Sequence, residues 1–257
     1  MSAAPIKTWT ERNGTLLRTR LATPKGNIVD IAMIEALDEV FTKNVASPDL
    51  RAVILDHEGP HFGFGASIPE HLPGLVETLV PKLHRAIKKM LRCPVPLIAL
   101  VRGQCVGGSL ELALTANLIF AGTDALFGQP EVKLGTMAPV GSCILPERMG
   151  RAQAEDLLLS GRSVSALTAQ EYGLVNDVSD DPEAAALAYF DRYFATMSAT
   201  GVRFATRAVR HAMLTRVEAE LDIVEAIYLK ELMATPDPVE GLNAFMEKRK
   251  PVWSSKV

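Results

Sequence analysis

The sequence predicts an α/β body followed by a helical tail, and three observations carry that prediction. Short apolar runs such as 52–55 and 97–101 alternate with segments of helical period. Two of these runs open into glycine-rich stretches, 59–67 and 103–108. Beyond Gly135 the apolar residues recur mostly at helical spacing. With 257 residues, 48% of them apolar and 22% charged, the chain is long enough for one large globular domain or a domain with an appendage. The division is expected to place an α/β core with the active site in residues 1–197 and a helical region in 198–257.

Each element follows in order. Residues 15–21 alternate weakly and read as a strand. From about 29 to 44, Ile31, Ile34, Leu37, Val40 and Phe41 share one helical face. Residues 51–56 form a buried strand. A helix over about 75–92 is closed by Pro94 and Pro96. Residues 97–101 are a second buried strand, running into Gly103, Gly107 and Gly108 and then a helix over 109–116. Two short strands follow at 118–121 and 125–128. Asp181-Pro182-Glu183 is an N-cap with proline at the first helical position. Val209, Met213, Val217, Leu221, Val224, Tyr228 and Leu232 mark a long apolar stripe, in one helix or two. Asp237-Pro238-Val239-Glu240 repeats the cap signal and opens a last helix ending in Glu247-Lys248-Arg249-Lys250.

Composition excludes several partners. A formal net charge of −3 gives no electrostatic reason to bind nucleic acid. No apolar stretch is long enough to span a membrane, and the first residues lack a secretory pattern. Cys93, Cys105 and Cys143 are odd in number and far apart, which suits a reducing cytoplasm better than a disulfide framework. His57, His61, His71, His84 and His211 have no ligand spacing, so no metal site is expected; His61 and His71 are read as surface residues.

Three segments could carry chemistry. In 97–113, LIALVRGQCVGGSLELA, a strand feeds a glycine turn and the turn feeds a helix. The first N–H groups of a helix lack internal partners and sit at the positive end of its dipole, so they can stabilise an oxygen that gains charge. Glu111 lies one turn beyond Gly108 on the same face. A turn of purely structural use, with Glu111 solvated, fits the same residues. The glycine spacing matches neither a dinucleotide nor a mononucleotide loop, and Ser109 lacks the G-x-S-x-G setting of a hydrolase nucleophile. In 127–135, FGQPEVKLG, Glu131 follows a proline at a strand end, where a lone glutamate is ordinarily exposed. In 61–67, HFGFGAS, aromatic and glycine residues alternate, which suits a loop closing over a flat apolar ligand or a plain surface loop.

Taken in this order and spacing, the three segments resemble the crotonase (enoyl-CoA hydratase/isomerase) superfamily over nearly the whole chain. The resemblance implies a crotonase-like spiral of ββα units with a C-terminal helical region, assembled as a homotrimer or homohexamer. It implies an acyl-CoA thioester substrate, with no cofactor beyond the coenzyme A that the substrate carries. The N–H groups of Ala66 and Gly108 would form the oxyanion hole. Glu111 and Glu131 match the two glutamates of family hydratases, whereas many isomerases and hydrolases keep one or neither. Lys248 and Lys250 would lie near the nucleotide part of CoA. Adding water to an alkene conjugated with a thioester needs one carboxylate to take a proton and one carboxylic acid to deliver one. Two neighbouring carboxyls tend to split into these roles, and Glu111 is assigned the base and Glu131 the donor.

The sequence departs from a generic fatty-acid hydratase at Ser67, where aspartate is usual, and along Gly-Thr-Met-Ala-Pro-Val-Gly-Ser at 135–142. The loop at 61–73, HFGFGASIPEHLP, is similar to that of cyclohexa-1,5-diene-1-carbonyl-CoA hydratases of anaerobic benzoate degradation. That likeness implies 1,4-addition of water to give 6-hydroxycyclohex-1-ene-1-carbonyl-CoA. Phe62, Phe64, Ser67, Met137 and Pro139 are the expected pocket residues. An ordinary 2-enoyl-CoA hydratase or isomerase is the alternative within the superfamily. A non-catalytic or RNA-binding relative is the alternative outside enzymology, disfavoured by the acidic balance and the glutamate pair.

Overall fold

The computed structural model describes residues 4–24 and 26–256. Its main sheet is built from β1 (Ile6–Glu11), β2 (Leu16–Leu21), β3 (Ala52–His57) and β4 (Leu97–Val101), completed by β6 (Leu118–Gly122) and β9 (Asp177–Ser179). The spatial order is β1-β2-β3-β4-β6-β9, with β1 and β2 antiparallel and every other pair parallel. A second sheet holds β5 (Gln104–Val106), β7 (Leu126–Gly128) and β8 (Ser163–Ser165), in that order.

Strand periodicity divides the core into two layers. Val53 and Leu55 of β3, with Leu97, Ala99 and Val101 of β4, face α1 (Ile31–Lys43) and α2 (Val76–Leu91). Ile54, Ile98 and Leu100 face the opposite way, onto Ala186 and Phe190 of α7 (Pro182–Tyr193). All five residues of β4 are buried, as expected for a central parallel strand covered on both faces. Asp30 caps α1 by accepting from the Met33 N–H at 2.8 Å, and Asp181 caps α7 by accepting from Ala184 at 3.0 Å.

The body also holds α3 (Gly108–Leu114), α4 (Pro139–Arg148), α5 (Arg151–Ser160) and α6 (Ala166–Glu171). The apolar stripe of the tail resolves as one 28-residue helix, α8 (Ala199–Ala226), capped by Ser198 and followed by a π-turn over Ile227–Glu231. Only part of the stripe is core: Val217 and Leu221 are buried, while Val209 is exposed. Buried Arg210 ties α8 to the core, donating to the carbonyls of Leu91 and Thr115 at 3.0 and 2.7 Å, at the C-terminal ends of α2 and α3.

The final helix, α9 (Asp237–Met246), corrects the cap expected at its start. The Asp237 carboxylate does not cap the helix; it accepts from the N–H groups of Ser254 and Ser255 and ties the end of the chain to α9. Among the described residues no helix is long and apolar enough to cross a membrane.

Candidate active site

The site forms where the second sheet meets the first turn of α3. Gly107 ends β5 with φ +56°, a backbone region that favours glycine, and its N–H donates to Gly128 at 3.0 Å. The turn starts the helix abruptly, and the first helical bond runs from Glu111 N–H to Gly107 C=O. The loop at 62–67 is pinned on both sides. Gly63 donates to Gln104 and accepts from Val106, while Val29 donates to Gly65 and accepts from Ser67. Ser109 is fully buried and its Oγ accepts from the Gly65 N–H at 2.9 Å, a structural use that removes it as a nucleophile.

This pinning leaves two amides over. Among the described residues, neither the Ala66 nor the Gly108 N–H donates to another protein group. They are neighbours: a methyl placed on Gly108 would lie 3.1 Å from the Ala66 nitrogen. One strand-like loop and one helix start therefore bring two free donors together, the arrangement an oxyanion requires.

The two glutamates stand beside them. Glu111, in the first turn of α3, is 3% exposed, and its Oε1 accepts from the Gly141 N–H at 3.0 Å. Glu131 opens a short 3-10 turn, Glu131–Leu134, and its Oε1 lies only 2.8 Å from where a Cβ on Gly107 would stand. Burial pushes Glu111 up to about 7. Burial, and then the charge of Glu111, pushes Glu131 up to about 8. The pair therefore shares about one proton near neutrality. Gln129, buried beside them, sets its amide against Glu131. Turned nitrogen-first, it donates to both carboxylate oxygens at 3.0 and 3.1 Å; turned the other way, its carbonyl accepts from the protonated acid.

A profile of the enoyl-CoA hydratase/isomerase family matches residues 11–256. The chain belongs to the enoyl-CoA hydratase/isomerase family. It is 51% identical to a cyclohexa-1,5-dienecarbonyl-CoA hydratase of Thauera aromatica, over 99% of both chains. A probable enoyl-CoA hydratase of Mycobacterium bovis is 32% identical over 90% of each. Among solved structures, an enoyl-CoA hydratase/isomerase of Pseudoalteromonas atlantica superposes with TM-score 0.86 at 25% identity, covering 97% of this chain and 100% of the other. The fold is the crotonase fold of that family, with its helical C-terminal region.

Within this family member, the space next to the oxyanion turn is a cavity of about 690 Å³. Phe64, Ala66, Ser67, Gly107 and Glu131 line it, and Phe245 and Met246 of α9 close one side. Lys248 and Lys250 follow directly and are exposed. Three expected pocket residues lie elsewhere. Phe62 is fully buried in the main core, edge-on to His57 at 5.6 Å, whereas Phe64, two residues on, is exposed at the cavity. Pro139 is buried at the start of α4, off the cavity wall. Met137 is not on this wall and packs against Val76, Val80 and Tyr228.

The sequence reading missed four participants. His71, read as a surface residue, lines the cavity, and its Nδ1 lies 2.7 Å from the Ser67 carbonyl. His61 is tied into the turn by accepting from the Gln104 N–H at 3.1 Å. Gln129 and the Gly141 N–H hold the glutamates. The only sequence signal for Gln129 was its place two residues before Glu131; the others are visible only in three dimensions.

Proposed function

We propose that this chain adds water 1,4 across cyclohexa-1,5-diene-1-carbonyl-CoA to give 6-hydroxycyclohex-1-ene-1-carbonyl-CoA. The observation that carries this reading is the 51% identity, over the full length, to the Thauera aromatica protein of that substrate, against 32% to the enoyl-CoA hydratase of Mycobacterium bovis. A largely apolar cavity with Glu131 on its wall supports it.

The mechanism follows from the geometry. The thioester oxygen sits on the Ala66 and Gly108 N–H groups. Ionised Glu111 takes a proton from water, and the water oxygen bonds to the ring carbon β to the carbonyl. The displaced electron pair moves onto the thioester oxygen as a dienolate. Removing one donor from such a hole typically costs about 3–4 kcal/mol of transition-state stabilisation. Protonated Glu131 then delivers its proton to the ring carbon opposite the new hydroxyl, leaving one double bond. The Gly141 N–H donates to Glu111 and favours it as the anion, which leaves the shared proton to Glu131.

The same reading places Lys248 and Lys250 near the CoA phosphates and requires no cofactor beyond CoA. It sets the enzyme in the cytoplasm, as a homotrimer or homohexamer serving anaerobic aromatic degradation. The test supplies the cyclic dienoyl-CoA and crotonyl-CoA in parallel and follows the gain of one water by mass. Faster hydration of the cyclic substrate is expected. Preference for crotonyl-CoA would return the chain to the ordinary enoyl-CoA hydratases.

A further inference from the structure

The scheme above leaves one polar group beside the site unused. Tyr228 is 1% exposed, yet its hydroxyl has no hydrogen-bond partner among the described residues. Burying a hydroxyl unpaired costs free energy that a phenylalanine of the same shape would avoid. Such an atom in a folded protein calls for a reason.

Its position supplies one. Tyr228 lies in the π-turn that follows α8, a widened turn of the kind that often marks functional sites. Its ring packs with Val76 and Val80 of α2 and with Met137, on the stretch that leads away from Glu131. It meets the imidazole of His71 edge-on, 6.5 Å between centroids, and His71 lines the acyl cavity. Because a carbonyl can only accept, His71 Nδ1 carries the proton it gives to Ser67, so this imidazole does not need the phenol as a donor there. Burial, followed by the charges of Glu131 and Glu111, pushes the phenol pKa up, which keeps Tyr228 a donor at every working pH.

A spare donor that packs against His71 of the cavity wall and feels the charges of Glu131 and Glu111 matches an oxygen that both donates and accepts. Water before the addition and the ring hydroxyl after it are the same oxygen. We infer that Tyr228 is a substrate-binding residue whose phenol O–H donates to the oxygen that water adds to the ring, and that it selects thioesters able to carry a hydroxyl there. This inference rests on the reading of the reaction given above.

The test compares binding of 6-hydroxycyclohex-1-ene-1-carbonyl-CoA and its deoxy analogue, cyclohex-1-ene-1-carbonyl-CoA. It is done in a Glu131→Gln background, which silences turnover, with Tyr or Phe at position 228. With Tyr228 the hydroxylated thioester binds roughly 10-fold tighter, as one hydrogen bond allows, and with Phe the gap closes to about 2-fold or less. Affinity for the deoxy analogue and the melting temperature do not fall in Tyr228→Phe. In the otherwise native enzyme the same variant loses about 10-fold in kcat/KM for the cyclic dienoyl-CoA. Should Tyr228→Phe misfold, Tyr228→Met repeats the comparison without a donor. An unchanged preference for the hydroxylated thioester overturns the inference while leaving the hydratase reading intact. If the protein with Tyr228 binds neither thioester, the reading of the reaction falls and the inference with it.

Discussion

Asp56 in the main sheet and the pair Glu111 and Glu131 at the oxyanion turn are carboxyl groups treated in opposite ways. At the end of β3, Asp56 is 4% exposed and accepts from Arg18 at 2.9 Å and from Arg20 at 2.9 and 2.6 Å. Arg18, 1% exposed, also reaches Glu11 and Glu183 at 3.1 and 3.0 Å. At the cavity, Glu111 and Glu131 have no cationic partner among the described residues and meet only amide groups. The first cluster matches buried charge with buried charge and holds the sheet together. The second leaves charge unmatched, which raises both acids and keeps a proton available for transfer.

The contrast can be broken in order of effect. Glu111→Gln or Glu131→Gln, nearly equal in size to the originals, is expected to lower turnover by roughly 10²-fold or more. Steady-state rates decide this, and near-native turnover in either variant would remove that residue from the chemistry. Asp56→Ala is expected to act on stability instead. Stripping Arg18 of its most buried partner should cost about 2–3 kcal/mol, or roughly 4–12 °C in melting temperature, with activity per folded molecule preserved. A wild-type melting curve for that variant would show that the arginines re-pair with Glu11 and Glu183.

The pH dependence sharpens the same comparison. Both glutamates are raised in the folded state, so their contribution to stability is complete below the unfolded carboxylate range and is lost as pH rises through about 7 and 8. Glu131→Gln should therefore melt a few degrees above the wild type at pH 8.5, with the gap narrowing at pH 6; a gap that widens on acidification would reverse the assignment. For the native enzyme, kcat/KM should rise through about pH 7 and fall through about pH 8, as one base and one acid require. The smallest effect is expected at the exposed pair Lys43–Glu39, where Lys43→Ala should change stability by about 0.5 kcal/mol or less in denaturant titration.

Much of this was legible in the chain. The strands at 52–57 and 97–101 announce themselves because both faces are buried and the runs are unbroken. The helix at 31–43 shows its apolar stripe, whereas its Asp30 cap is seen only in the structure. Of the three-residue strands, β7 was legible as the run at 125–128, whereas β5, β8 and β9 are too short for alternation to be seen and their pairing is set by distant segments. The glycine turn and the two glutamates stood out by motif. Their environment did not, since the amide of Gly141 and the side chain of Gln129 take their places only after folding. Phe62 and Phe64 show the limit of local pattern. Strand alternation would put these two like residues on one face, yet they take opposite destinations on either side of Gly63, which pairs with Cys105 of β5.

Gly107 brings the oxyanion turn and the proton donor within a single atom's width. Any side chain there, even a methyl, would press on Glu131 Oε1 and shove the acid away from the substrate. Tinkering that enlarges or reshapes this enzyme's acyl chamber must therefore come from the far walls, from α9 or the 64–71 loop. The corner where amide and acid meet offers no room to redesign.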